Sequence, residues 1–154
     1  MNGMNYEIVT LEAITVVGKS IVTTNENGQS MYDIGAMWQQ FISEGLFERI
    51  EDQTTGKGIG LYTDYEGDFT KPYRFMCGVA VSKGGQNDFE TRTIAGGKYA
   101  KFTIIGDAVE SVGKAWQDIW AMDLDRKYAY DFELYHNDNE DMSQQTIEIY
   151  ISLN

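Results

Sequence analysis

Hydrophobic and polar positions alternate strictly in Tyr130-Asp131-Phe132-Glu133-Leu134-Tyr135, which predicts a strand with Phe132 and Leu134 on one side and Glu133 and Tyr135 on the other. The closing stretch Thr146-Ile147-Glu148-Ile149-Tyr150-Ile151 has the same form, with an apolar row at Ile147, Ile149 and Ile151 and Glu148 and Tyr150 on the reverse. If the two strands pair, one side of the sheet is apolar and the other carries carboxylates among tyrosines. A flat, positively charged molecule suits the second side, because carboxylates neutralise its charge and aromatic faces attract it.

The rest of the chain supplies a scaffold. Residues 6–24 predict extended chain, with a bulge or bend at Gly18, and Asn25-Glu26-Asn27-Gly28 a turn. Ser30 and Asp33 resemble a capping box ahead of a helix whose apolar stripe is Met31, Ile34, Met37, Trp38, Phe41 and Ile42, with Gly45 ending it. Residues 46–50 predict a short turn and residues 51–58 a polar loop. Strands follow at 60–65 and 73–81, then a linker-like stretch at 82–88. Extended chain from Phe89 to Ile105, broken at Gly96-Gly97, leads into a second helix. Asp107 and Glu110 signal its start, and Val109, Val112, Trp116, Ile119 and Trp120 form its stripe. Strands at 130–136 and 145–153 close the chain.

The second half reads as a repeat of the first. At one offset Thr15, Val16 and Gly18 align with Thr93, Ile94 and Gly96, and Gly35 and Trp38 with Gly113 and Trp116. After a single deletion Leu61-Tyr62 aligns with Leu134-Tyr135 and Cys77 with Tyr150. One α+β domain over 1–154 is expected, made of tandem β-α-β-β units (about 1–82 and about 88–154) related by a pseudo-two-fold. The units share one antiparallel sheet, two helices lie on one face, and a ligand groove lies between the halves.

Composition narrows the function. With 24 acids against 12 bases the net charge is −12, which disfavours direct nucleic-acid binding and concentrates cations instead, although acidity also serves solubility alone. Aromatics make up 13% of the chain, more than a core of this size needs. Cys77 is the single cysteine, so no intrachain disulfide forms, and its apolar flanks predict a buried thiol. No apolar run is long enough to span a membrane, and residues 1–7 lack the pattern of a signal peptide, so a cytoplasmic protein is expected.

Two β-α-β-β units, a Gly-x-x-Trp in each helix and a Phe-Glu-x-Tyr strand before an acidic turn resemble the GyrI-like effector-binding domain. That domain is the ligand-sensing half of AraC-type and MerR-type multidrug-responsive regulators. Tyr6-Glu7-Ile8-Val9-Thr10-Leu11-Glu12 with Asn27-Gly28-Gln29 is most similar to stand-alone integron-cassette and YdeE-like members. The resemblance covers nearly the whole chain. It implies that Glu133, ringed by aromatics, receives lipophilic cations. The chain has no helix-turn-helix, so the resemblance implies a binder that sequesters a drug or signals to a separate DNA-binding regulator. Two alternatives follow from the same resemblance: a hydrolase of cyclopropanoid genotoxins, and an acidic protein that contacts DNA gyrase.

Glu133 is the main candidate, against the alternative of a solvated carboxylate paired with a lysine. The binding role requires burial without a permanent cationic partner, and a pKa raised in the free protein. Tyr135 and Tyr150 are read as sharing its side of the sheet, either as rings beside a cation or as ordinary cross-strand packing. Glu148 offers a second negative charge or a wet-face carboxylate. Trp38 and Trp116, being duplicated, suit a core role, with Trp116 kept as a ligand contact; Met37, Phe41 and Tyr99 are also read as core. Trp120 aligns with Ile42 and is the better candidate for a ligand wall, and Tyr62 echoes Tyr135 on the opposite wall. His136, the lone histidine, has no Cys or His partner for zinc and no triad setting. Residues 138–141 lack the spacing of a helix-loop-helix calcium site. Gly84-Gly85 and Gly96-Gly97 lack the lysine pattern of a phosphate loop, so no cofactor or metal is expected. The protein is expected as a monomer or homodimer.

Overall fold

The computed structural model describes residues 5–84, 86, 88–137 and 139–154, with only the backbone of Met142. The elements run β1 (Glu7–Leu11), β2 (Ile14–Thr23), α1 (Gln29–Ser43), α2 (Leu46–Arg49), β3 (Gln53–Thr63), β4 (Tyr73–Val81), β5 (Glu90–Ile94), β6 (Gly97–Gly106), α3 (Glu110–Trp120), β7 (Tyr130–Tyr135) and β8 (Gln145–Ser152). All eight strands join one antiparallel sheet in the order β1-β6-β8-β7-β3-β4-β2-β5. The fold is α+β.

The order is symmetric about the β3–β7 pair. Reading outward, β3-β4-β2-β5 on one side answers β7-β8-β6-β1 on the other. Each outermost strand has crossed to the opposite side: β1 pairs with β6 and β5 with β2. Each half therefore contributes one strand more than a β-α-β-β unit. The residues that sequence reasoning placed in one long strand separate at Glu12-Ala13, where the chain passes from one edge of the sheet to the interior. The edges are five residues long on both sides, short enough to limit pairing with other chains.

Gly18 makes neither a bulge nor a bend. It sits in register between Gly78 and Glu90, and an added Cβ would lie 1.8 Å from the backbone oxygen of Cys77. Glycine is required there because two backbones approach too closely for a side chain.

Helices α1 and α3 cover the same face. Met37 and Phe41 of α1, and Val112, Trp116 and Ile119 of α3, pack on Val17, Phe75, Phe102, Ile147 and Ile149 of the sheet. The other face buries Val16, Ile59, Leu61, Met76, Phe132 and Tyr150 against one another, with no helix between. Both faces are thus apolar, and the expected division into an apolar side and a carboxylate–tyrosine side does not hold. The register gives the reason. Glu133 stands opposite Ile149 and Tyr135 opposite Ile147, whereas Phe132 stands opposite Tyr150 and Leu134 opposite Glu148. Residues directly opposed across a ladder point the same way, and a shift of one residue exchanges the faces of a whole strand. The same register matches Cys77, opposite Gly60, with Ile149, opposite Glu133, and not with Tyr150 as the repeat alignment had it. Cys77 is fully buried, and burial pushes its thiol pKa up.

The helix starts differ. Asp107 caps α3: its Oδ1 accepts from the backbone N–H of Val109 at 2.8 Å and of Glu110 at 2.9 Å, and these bonds hold its carboxyl below the ordinary value. Ser30 caps nothing. α1 follows Gly28 in a left-handed conformation (φ 72°), and Asp33 accepts from Thr23 Oγ1 and Gln29 Nε2 instead. The stripes predicted for the helices are also too wide. Met31, Ile42 and Val109 are 76%, 69% and 75% exposed. Residues 53–58, predicted as loop, extend β3, with an irregularity in the ladder between Gln53 and Gly58. Of the acidic turn at 138–141, Asp138 lies outside the described residues, as does Gly85 of the linker. Among the described residues, no helix is long and apolar enough to cross a membrane.

Candidate functional site

β7 places Glu133 at the middle of the sheet, beneath the gap between α1 and α3. It is 1% exposed. Its cross-strand neighbour in β3 is Gly60, where an added Cβ would lie 2.8 Å from Glu133 Oε1 and 3.1 Å from the Phe75 ring. Gly58, opposite Tyr135, would put a Cβ 3.5 Å from the Trp38 ring. Gly58 and Gly60 hollow out the floor in which the carboxylate and its tyrosine lie.

Three neutral donors converge on the carboxylate. Tyr62 O–H donates to Oε2 at 2.8 Å, Trp116 Nε1–H to the same oxygen at 2.6 Å, and Tyr135 O–H to Oε1 at 2.7 Å. Among the ion pairs of the described residues, none involves Glu133. Burial raises the Glu133 pKa, and the three bonds, which favour the charged form, offset only part of that effect. Burial and the adjacent Glu133 charge push the Tyr62 and Tyr135 hydroxyls well above their ordinary value, so both remain donors.

A cavity of about 340 Å³ opens above this floor. Eight aromatic side chains form much of its wall. Tyr62 packs on Trp116 at 4.9 Å and on Tyr73 at 5.7 Å between centroids, Trp38 meets Tyr135 edge-on at 5.3 Å, and Trp120 stacks on Phe69 of the β3–β4 loop at 5.5 Å and 5°. Gly35 of α1 and Gly113 of α3 line it, each facing open space where a side chain would stand. Met31 and Val109, the exposed ends of the two predicted stripes, also line it. The volume and the ratio of rings to polar groups are those of a small-molecule site. A second cavity of about 410 Å³ is larger, but Lys19, Gln40, Glu44, Arg49 and Asp88 give it a charged lining with none of the candidate residues.

Glu133, Tyr135, Tyr62, Trp116 and Trp120 all line the first cavity. Tyr150 and Glu148 do not: they belong to the opposite face. Tyr150 stacks on Phe132 at 4.5 Å, and its hydroxyl donates to Glu148 at 2.9 Å. Glu148 also meets Lys101 at 3.1 Å and His136 Nε2 at 3.3 Å. Burial alone would raise its pKa, but the bonds from Tyr150, Lys101 and His136 win and hold it below the ordinary value. A clamped carboxylate of this kind has no charge to spare for a ligand. Sequence reasoning missed Gly58, Gly60, Tyr65, Phe69, Tyr73 and Arg126, and assigned Trp38 to the core alone. The glycines alone left a signal, since glycine inside a strand marks a close approach.

Gly60 allows a direct test. In Gly60→Ala the new methyl displaces the flexible end of Glu133 and presses on Phe75. The expected outcome is a folded protein, destabilised by about 1–3 kcal/mol, in which Trp fluorescence of the Tyr62–Trp116 wall is altered. Unchanged emission with unchanged stability would mean that the floor is looser than these distances.

The model of the integron-associated effector binding protein family, Cass2, matches residues 7–153. Among solved structures, an integron cassette protein from the mobile metagenome of Vibrio cholerae is 26% identical, with a TM-score of 0.78 over 99% of this chain and 98% of that one. The structure of SAV2435 bound to tetraphenylphosphonium is 22% identical, with a TM-score of 0.81 over 98% of this chain and 94% of that one. The C-terminal domain of EcmrR shares the fold at 14% identity, with a TM-score of 0.65 over 98% and 99% of the two chains. No curated protein matches the sequence. With its family model aligned from the first strand to the last residue but one, the chain belongs to the integron-associated effector binding proteins.

Proposed function

We propose that this protein is a small-molecule receptor for lipophilic, aromatic cations, and that Glu133 supplies its charge selectivity. The observation that carries this reading is a fully buried carboxylate, held by three neutral donors and, among the described residues, by no cation, at the floor of a ring-lined cavity. An unpaired buried carboxylate is costly and persists where a partner arrives from outside. At about 5 Å and an effective dielectric of 20, the attraction of a unit positive charge to it is about 3 kcal/mol, or about 100-fold in affinity.

The donors also select the kind of cation. Tyr62, Trp116 and Tyr135 already occupy the carboxylate oxygens, so little room remains for an ammonium N–H to be satisfied. A charge that needs no acceptor, such as a phosphonium or quaternary ammonium, loses less on entering and gains the ring faces. The cationic ligand of the SAV2435 structure is of this kind. The same occupancy favours binding over hydrolysis, since a general base needs a free oxygen against its water. A role in regulation, through a separate DNA-binding chain, is part of the proposal; EcmrR, solved in complex with DNA, carries this fold in its C-terminal domain.

Isothermal calorimetry with tetraphenylphosphonium, a similar-sized primary ammonium and the isosteric anion tetraphenylborate, which carries no acceptor oxygen, tests the reading. The phosphonium is expected to bind best and the borate at least about 100-fold more weakly. Equal affinity for the two isosteres would exclude Glu133 as the source of charge selectivity.

A further inference from the structure

Arg126, just before β7, lines the same cavity with its side chain 5% exposed. One nitrogen, Nη2, donates to Asp131 at 2.7 Å. Asp131 is itself fully buried and well supplied: it accepts from the Ser152 backbone N–H at 2.8 Å, from Ser152 Oγ at 3.1 Å and from Tyr65 O–H at 2.6 Å. The ion pair is therefore neutral and complete on the acid's side. It is incomplete on the base's side. Nε and Nη1 of Arg126 are buried and find no acceptor among the described residues. Tyr128 covers one face of the guanidinium at 4.2 Å, so the open donors lie in its plane. Buried donors left without an acceptor are costly and uncommon.

We propose that Arg126 is a second anchoring point for the ligand, receiving a carbonyl oxygen carried by the same lipophilic cation that Glu133 attracts. The inference rests on the cation-binding reading above. Because Asp131 already neutralises the guanidinium, the acceptor does not have to be charged: a ketone, ester or amide oxygen completes the donor set. Glu133 and Asp131 are two residues apart on β7, which puts the two anchoring regions on the order of 7 Å apart along the strand. Between them run the rings of Tyr62, Tyr73 and Tyr65, each in contact with the next at 5.7 Å. The preferred ligand is then an aromatic cation with a carbonyl on a ring remote from the charge, where a purely hydrophobic cation would satisfy one end only.

Calorimetry on the full chain with three probes decides this: tetraphenylphosphonium, (4-acetylphenyl)triphenylphosphonium and its isostere (4-isopropylphenyl)triphenylphosphonium. The acetyl probe is expected to bind about tenfold more tightly than the isopropyl probe, and Arg126→Lys, which keeps the charge and loses the planar fork, is expected to bring that ratio to within twofold of one. Should the lysine variant not fold, the paired replacement Arg126→Met with Asp131→Asn removes the donors without stranding a charge and carries the same expectation. A ratio near one in the unaltered protein, or a tenfold ratio that survives either variant, overturns the proposal and leaves an internal water as the guanidinium's partner. Failure of all three probes to bind would instead overturn the cation-binding reading itself.

Discussion

Replacing Glu133 by Gln is expected to reduce affinity for tetraphenylphosphonium by about 100-fold while raising the melting temperature at neutral pH. Both effects come from one desolvated charge. Gln has the shape of Glu, and its carbonyl still accepts from Tyr62 and Trp116. Its amide N–H₂ faces Tyr135, whose hydroxyl turns from donor to acceptor. The floor stays packed, and the charge alone is removed. The direction of the stability change follows from the raised pKa. In the window between the unfolded-state value and the higher folded-state value, the native protein holds the proton that the unfolded chain has released. Stability therefore falls as pH rises through that window, and the cost is complete above the folded value. The stability advantage of Glu133→Gln should shrink toward acid pH, where both proteins carry a neutral group, and reach its full size only above the folded-state value. Thermal melts of the two proteins across pH check this. A variant that is less stable at every pH would show that the carboxylate holds the fold together and is not a receptor.

The second large effect belongs to the sheet. Gly18→Ala is expected to destabilise by at least about 3 kcal/mol, lowering the melting temperature of a chain of this size by roughly 6–12 °C. The added Cβ would stand 1.8 Å from the oxygen and 2.7 Å from the carbonyl carbon of Cys77, and 2.7 Å from Gly78 Cα. All are backbone atoms of a paired strand, so no rotamer change relieves them. β2 must move away from β4, in a sheet that carries both helices on one face. Gly35→Ala is the control. Its Cβ meets nothing within 4 Å, and alanine in a helix interior is favoured over glycine by about 1 kcal/mol. Opposite signs at the two positions would place the constraint in the strand contact. A tolerated Gly18→Ala would mean that β2 and β4 are not paired in this register.

Local pattern revealed the elements and concealed their partners. Alternation in 130–135 identified a strand with Glu133 and Tyr135 on one side, and helical spacing found Met37, Phe41, Val112 and Ile119, which the core buries. Alternation says that Glu148 and Tyr150 share a side with each other. It does not say which side that is relative to Glu133, because pairing register is set by contacts far apart in the chain. That single ambiguity moved two candidate residues from the cavity to the opposite face. The crossing of β1 to β6 was hidden for the same reason: Ile8 and Val9 continue the pattern of β2 without a break in composition. Met31 and Val109 met the helical spacing but sit where the helices part above the cavity, so an apolar position there faces a ligand space in place of the core. Arg126 left no trace in the sequence. A charged residue in a loop becomes a buried donor only once Asp131, Tyr65 and Tyr128 close around it.

Proton exchange on ligand binding reads out the charge state of Glu133 itself. Burial raises its pKa in the free protein, and a bound cation favours the ionised form, so binding within the raised window must expel a proton. Calorimetric titration of tetraphenylphosphonium in two buffers of different ionisation enthalpy measures that proton. Net proton release is expected, fading as pH rises past the free-protein pKa and absent in Glu133→Gln. Binding with no proton exchange at any pH, or release that persists in the Gln variant, would contradict it.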